Sequence, residues 1–314
     1  MLKKVDQSEF EKLPHLSINL NPSYLNATAN SAKLNTAFFI YYTNDKPSVA
    51  FGLLQSARKI ILPKQNVFYS GIWTNSNKSD NEFNEDFFNA INDLKKFYKS
   101  IKIVLPTSIV DLRPFLWNGF SAEIRYTYLK PTNEQLYKQN INRQYKKAKE
   151  KYNLTVDFCS YKDIDWNRHK LLLISIHLNG TRINQIEDWL KLLDKKGLLL
   201  CMGIYCDTQV VGSVIVLVDQ LQSVGYLLYL ESDKSAIQSE INAVLYIEVQ
   251  KELLRLNLKT FDYLGANIPS IANYKSRFNP VLKPYYIVTY KKKYFNFKPL
   301  KNIIKKYFNT YLIR

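Results

Sequence analysis

The feature that most restricts how this chain can fold is the order of its patterned segments between residues 154 and 263. Residues 198–206, 209–218 and 223–229 are apolar runs of strand length, the first two joined by the tight turn Asp207-Thr208. Ile237, Ile241, Val244, Leu245, Val249 and Leu253 then recur at helical spacing, and residues 260–263 read as one more strand. Upstream lie a strand at 154–158 and helices over 163–179 and 185–196. The order is β-α-α-β-β-β-α-β. It repeats at no fixed period, so a solenoid or repeat array is excluded.

The first half reads similarly. Residues 36–51 give a strand, a polar turn at 44–47 and a second strand; further strands follow at 53–62 and 66–72, separated by Pro63. Phe83, Phe87, Phe88, Ile91, Leu94 and Tyr98 place an amphipathic helix over 82–99, and Pro106 ends a strand at 101–105. Thr132-Asn-Glu-Gln135 has the form of a capping box, so a helix is expected from there to about Lys151. At 314 residues the chain exceeds most single cores. The fold class is α+β, with a first domain over 1–150 and a second over 151–284, the tail 285–314 packing back on the first.

Composition narrows the partners. Hydrophobic residues make up 46% of the chain, which excludes a disordered protein. The start, MLKKVDQSEFEKLPH, lacks the apolar core of a secretory signal, and no apolar stretch is long enough to span a bilayer. A soluble, cytoplasmic protein is expected. Cys159, Cys201 and Cys206 form no zinc pattern and suit reduced thiols. Net charge is +17, of which residues 291–314 supply eight basic and no acidic side chains, leaving +9 on the remainder. Such a surface attracts nucleic acid, phosphorylated ligands or an anionic membrane face.

Three stretches carry a resemblance. They are RPFLWNGFSAEIRYTYLKP, NRQYKKAKEK and FDYLGANIPSIANYKSRF, in that order. Together with the element order they resemble the Fem branch of the GNAT acyltransferase superfamily, the peptidoglycan-bridge aminoacyltransferases. The resemblance implies tandem GNAT-like domains, each a mixed central sheet flanked by helices, with a channel between them. It implies transfer of an acyl or aminoacyl group onto an amine of a cell-wall precursor or small metabolite. The alternative is a Fem-like module without catalysis that binds a phosphorylated ligand or RNA. GNAT enzymes hold acetyl-CoA on a glycine-containing loop. Here the aligned Gln238-Ser-Glu-Ile241-Asn-Ala243 replaces the central glycine by a β-branched residue. That favours aminoacyl-tRNA over acyl-CoA as donor, with no permanently bound cofactor.

The resemblance also nominates residues. Lys275 lies at the motif position beside the donor or acceptor channel, where its ammonium would meet a phosphate. Arg182 lies where the family binds the acceptor's phosphates, a task for which a guanidinium fork is suited. Lys33 is expected to pair with it across the channel, and Tyr229 to contact substrate from the same strand face as Tyr226. Acyl transfer to an amine needs positioning, one proton route and oxyanion stabilisation rather than a protein nucleophile. Glu231 and Asp233 are candidate proton acceptors near the donor entrance. Asp111 is a third, standing in for an acid that the family often carries where this chain has Leu105. Arg143, Lys146 and Lys147 form a basic helix face suited to tRNA backbone contact. Asp262 and Gly265 read as turn-formers, and His15, His169 and His177 as structural. No metal site is expected. In the tail, Ile303, Ile304, Tyr307, Phe308, Tyr311 and Leu312 form a stripe expected to dock on the first domain, with membrane contact weak and peripheral.

Overall fold

The computed structural model describes residues 1–56, 60–61, 68–75, 83–233 and 238–292. The first part contains β1 (Leu2–Val5), α1 (Gln7–Phe10), α2 (Pro22–Ala32), β2 (Asn35–Thr43), β3 (Lys46–Gln55), β4 (Ile60–Ile61) and β5 (Gly71–Thr74). It continues through α3 (Glu85–Phe97), β6 (Ser100–Val104), α4 (Arg113–Leu116) and β7 (Ser121–Pro131). The second part runs α5 (Gln139–Lys151), β8 (Leu154–Cys159), α6 (Trp166–Ser175), α7 (Gly180–Asp194), β9 (Leu199–Cys206), β10 (Gln209–Asp219) and β11 (Val224–Ser232). It ends with α8 (Gln238–Arg255), β12 (Thr260–Asp262), α9 (Pro269–Lys275) and β13 (Val281–Lys291).

Local chemistry sets several boundaries. Asn44 and Asp45 both take positive φ, the type I′ geometry that joins β2 to β3 in a two-residue hairpin. Asn21 caps α2 by accepting from the Ser23 and Tyr24 amides, Pro22 occupies the first turn, and Lys33 closes the helix in the left-handed conformation. Asn84 caps α3, with Glu85 and Asp86 in its first turn and Lys95 and Lys96 in its last, complementing the helix dipole. The expected capping box does not form. Helix α5 starts at Gln139, and Thr132 instead donates its hydroxyl to the Leu258 carbonyl at 2.5 Å, tying the segment after β7 to the start of β12. The expected tail helix lies outside the described residues.

Among the described residues, thirteen strands form one sheet rather than two separate ones. Its order is β1-β2-β3-β4-β6-β13-β7-β12-β11-β10-β9-β8, with β5 beside β3. The join is made by a late strand. β13 enters between β6 and β7, antiparallel to both, from Val281↔Leu129 to Lys291↔Ser100. β7 is paired on its other edge by β12. Both arms of the sheet face one shared helical layer. Phe38, Ile40, Leu54 and Val104 of the first arm and Cys201, Ile215, Leu217 and Tyr226 of the second belong to the same core, with residues of α2, α6 and α7 between them. Helix α3 covers the outer face of the first arm, and α5 and α8 cover that of the second. By packing, Ile141 and Ala148 of α5 share a core with α8.

The shared layer has a polar pin. The fully buried Trp189 of α7 donates its indole N–H to Thr28 Oγ1 of α2 at 2.9 Å, and its ring meets Tyr24 edge-on at 6.2 Å. Replacing Thr28 by the isosteric Val leaves that donor buried and unpaired. Thr28→Val should lower unfolding free energy by about 1–3 kcal/mol, read as a reduced urea midpoint at unchanged slope.

Candidate functional site

Strands β11 and β12 run parallel for only three pairs, Val224↔Thr260, Gly225↔Phe261 and Tyr226↔Asp262. β11 then continues to Ser232 while the other chain turns away at Leu264 and Gly265, both with positive φ. Beside this parting lies a pocket of about 280 Å³ lined by Phe68, Tyr69, Val104, Thr127, Leu264, Gly265, Tyr285 and Ile287. Both halves of the chain contribute to it. A register shift also falls here: Ile215 faces Tyr229 while Val216 faces Leu227, so Leu228 is an inserted residue. Only this bulge lets Tyr226 and Tyr229, three positions apart, face the same core.

Asp262 is the hub of the site. It is 2% exposed, and its carboxylate accepts from Thr127 Oγ1 at 2.5 Å, the Leu264 amide at 2.9 Å and the Tyr69 hydroxyl at 2.9 Å. Burial raises its pKa above the usual carboxylate range, against the pull of these donors. Tyr69 is raised as well, by burial and the adjacent carboxylate. Its ring stands edge-on to Tyr285 at 5.5 Å, and Phe68 stacks on Tyr226 at 5.8 Å. The sequence pattern marks Asp262 as a turn-former and carries no signal at Tyr69 or Thr127. Only the adjacency of β7 and β12 and the return of residues 68–75 bring these three together.

Lys275 closes the turn from below. It is the last residue of α9, and its ammonium donates to the carbonyls of Tyr263 at 2.7 Å, Gly265 at 3.3 Å and Leu264. All three donors are thus spent on the backbone that shapes the pocket. Burial pulls its pKa down to about 8. The phosphate contact expected of Lys275 would have to displace these bonds. In the structure it is the strut that holds Leu264 and Gly265 away from β11.

The other nominated residues are placed as follows. Arg182 sits in the first turn of α7, where it donates to Gln185 at 3.1 Å; burial lowers its pKa, and it lies close enough to Tyr229 to be felt by that phenol. Tyr229 packs edge-on to Trp166 and His169 at 6.3 and 6.5 Å. Lys33 is exposed at the end of α2. Glu231 is ion-paired with Arg168 at 2.5 Å, and burial raises its pKa in spite of that partner. Asp233 is more exposed and 3.6 Å from the same guanidinium. Asp111 accepts from the Arg113 amide and side chain, bonds that hold it below the carboxylate range, and it does not line the pocket. On α5, Arg143 and Lys146 border a groove with Gln139, Asn140 and Asn142, and Lys146 also pairs with Glu150 at 3.6 Å. Lys147 is engaged by Glu240.

Ile241 corrects one expectation. It is not a loop residue but lies inside α8, fully buried, its methyl 2.8 Å from where a Cβ on Gly212 would be. Its branch therefore packs the core and blocks no approach to a loop. The nearby first turn of α8 carries its own anion instead: Glu240, 4% exposed, which accepts from Ser239 at 2.6 Å and pairs with Lys147. Among the described residues no cluster of three His, Cys, Asp or Glu is grouped to hold a metal, and no helix is long and apolar enough to cross a membrane.

The parallel pair that parts beside the pocket thus follows an antiparallel meander and a long helix. No family model and no curated protein sequence matches the chain. Solved structures do. The chain is similar to FemX with a TM-score of 0.64 and 11% identity, over 91% of this chain and 96% of that one. It is similar to L-PGS from Bacillus licheniformis (TM-score 0.53, 12% identity, 90% and 95% covered). A tandem GNAT protein from the clavulanic acid biosynthesis pathway follows with TM-score 0.51 and 9% identity over 94% and 99%. The chain thus shares the fold of FemX and of the tandem GNAT protein.

The strut yields a test. Lys275→Met leaves three carbonyls without their donor and should cost about 1.5–3 kcal/mol or more of stability at pH 7. The folded pKa of about 8 lies below the ordinary 10.5, so between these values the unfolded chain binds more protons. Wild-type stability therefore gains from this group as pH rises through that window and loses the gain as pH falls through about 8. Denaturant midpoints across pH should show wild type pulling further ahead of the variant above pH 8.

Proposed function

We propose that the chain is an aminoacyl- or acyltransferase that moves its group onto an amine of a cell-wall precursor or small metabolite, with aminoacyl-tRNA favoured over acyl-CoA as donor. The observation that carries this reading is the parting of β11 from β12 beside a pocket built from both halves. Beyond Tyr226 β12 no longer pairs with β11, and it is at this parting that we place the carbonyl oxygen that gains charge during attack. Glu240 supports the choice of donor. Its carboxylate, paired with Lys147, already occupies the first turn of α8, where a pyrophosphate would otherwise be seated. Arg143 and Lys146, exposed on α5, suit a polyanion such as tRNA.

For the proton, Asp262 and Tyr69 form the route that reaches the pocket. The attacking amine gives up a proton as its nitrogen bonds to the ester carbonyl carbon. The Tyr69 oxygen takes it while passing its own to Asp262, whose raised pKa suits it to accept, and the departing hydroxyl recovers a proton as the ester bond breaks. Glu231 and Asp111 are worse placed, since each already answers an arginine.

The purified chain should transfer label from a charged tRNA mixture to an amine acceptor, and should leave acetyl-CoA unused. Tyr69→Phe keeps the ring and should lower kcat by about 100-fold or more with a small change in KM. Transfer from acetyl-CoA alone, or full activity in the Phe variant, would overturn the donor assignment or the proton route respectively. Failure with every donor would overturn the enzyme reading.

A further inference from the structure

Two of the chain's three cysteines stand opposite each other. Strands β8 and β9 pair antiparallel, and their register sets Cys159 of one against Cys201 of the other. Direct cross-strand partners send their side chains to the same side of a sheet. Here that side is the inner one: Cys201 lies in the core shared by the two arms, 2% exposed, and Cys159 packs against that core, half-buried. Cys206 is placed differently. It faces Leu154 and Gln209 and packs with the outer core of α5 and α8.

The spacing is that of a disulfide that closes under strain. The Asp207 amide donates to the Asn153 carbonyl, which makes 153 and 207 a hydrogen-bonded pair of the ladder. Pair type alternates along antiparallel strands, so 159 and 201, an even number of residues on, are of the same type, with Cα atoms about 5.5 Å apart. That separation lies within the disulfide range, whereas the Cβ atoms of such partners, about 4.5–5.5 Å apart, must draw closer for the bond to form. β8 can give way, because among the described residues it is the last strand of the sheet and is paired by β9 alone. A bond closed against strain is readily reduced again, as a regulatory disulfide must be. Burial raises both thiols, Cys159 to about 11 with Asp157 and Asp163 adding to the rise, so neither is a fast nucleophile and the exchange is slow.

We propose that Cys159 and Cys201 are a redox modification site, a dithiol that closes to a reversible cross-strand disulfide under a small disulfide oxidant. The half-exposed Cys159 attacks, as its thiolate, one sulfur of oxidised glutathione, whose S–S bond breaks and releases one glutathione thiolate. The Cys201 thiolate then attacks Cys159 Sγ in the mixed disulfide and releases the second. Two protein thiols are oxidised, one glutathione disulfide is reduced to two thiols, and the two protons pass to the departing thiolates. The site does not depend on the transfer reading. The folded full chain is incubated to equilibrium in glutathione buffers of graded oxidised fraction, then acid-quenched, alkylated and mapped by mass spectrometry. Cys159 and Cys201 should disappear together as free thiols and be recovered as one cross-linked peptide, and excess reduced glutathione should restore both. Cys206→Ser should leave the link unchanged. Cys201→Ser should stop the reaction with glutathione on Cys159, and Cys159→Ser should leave Cys201 free. No Cys159–Cys201 peptide at any ratio, a link formed only after unfolding in urea, a link to Cys206 in its place, or a link that survives excess reduced glutathione would each overturn the proposal.

Discussion

The structure depends on what satisfies the two edges of β7. An unpaired strand in the middle of a protein leaves a row of amides and carbonyls that must be answered. β7 is answered on one side by β12 and on the other by β13, strands that arrive more than a hundred residues later in the chain. This pairing makes one sheet of two halves, and it fixes the angle at which both arms look onto α2, α6 and α7. The pocket between the halves is a consequence. Its walls come from β6, β7, β13 and the turn after β12 because those are the strands that meet at the join.

Asp262 is the second constraint. A buried carboxylate is tolerated only when it is well supplied with donors, and this one takes them from the neighbouring strand, from its own turn and from residue 69. The same three bonds therefore do two things. They tie the first half to the second, and they hold the Tyr69 phenol at the wall of the pocket. Lys275 completes the arrangement from the far side of the turn, close enough to favour the ionised form of Asp262.

Much of this was legible in the sequence, for identifiable reasons. The meander, the long helix α8 and the hairpin at Asn44-Asp45 announce themselves by periodicity and turn chemistry, both local properties. The positive φ of Gly265 and the hydrogen bond that Asp262 accepts from the Leu264 amide are likewise readable from the turn alone. What failed to show was whatever depends on distant partners. Thr132 has the pattern of a helix cap, but its hydroxyl finds the Leu258 carbonyl first. Lys275 reads as a free cation until three carbonyls of its own turn are seen to surround it. Tyr69 carries no motif at all, and its role exists only where residues far apart in sequence converge. The N-terminal β1, α1 and α2 offered no strong periodic signal, yet α2 fills the centre of the molecule.

The late entry of β13 has a consequence for how the chain is made. While the first 280 residues leave the ribosome, β6 and β7 each lack a neighbour, and the gap between them is closed only when residues 281–291 appear. Contacts of such long range are slow to form and leave edges open in the meantime. Among the described strands, the last to be made is therefore an internal one, placed between β6 and β7 rather than at an edge of the sheet. Any interruption of translation before that strand would release a chain with two competent edges, a ready substrate for self-association or for the chaperones that prevent it.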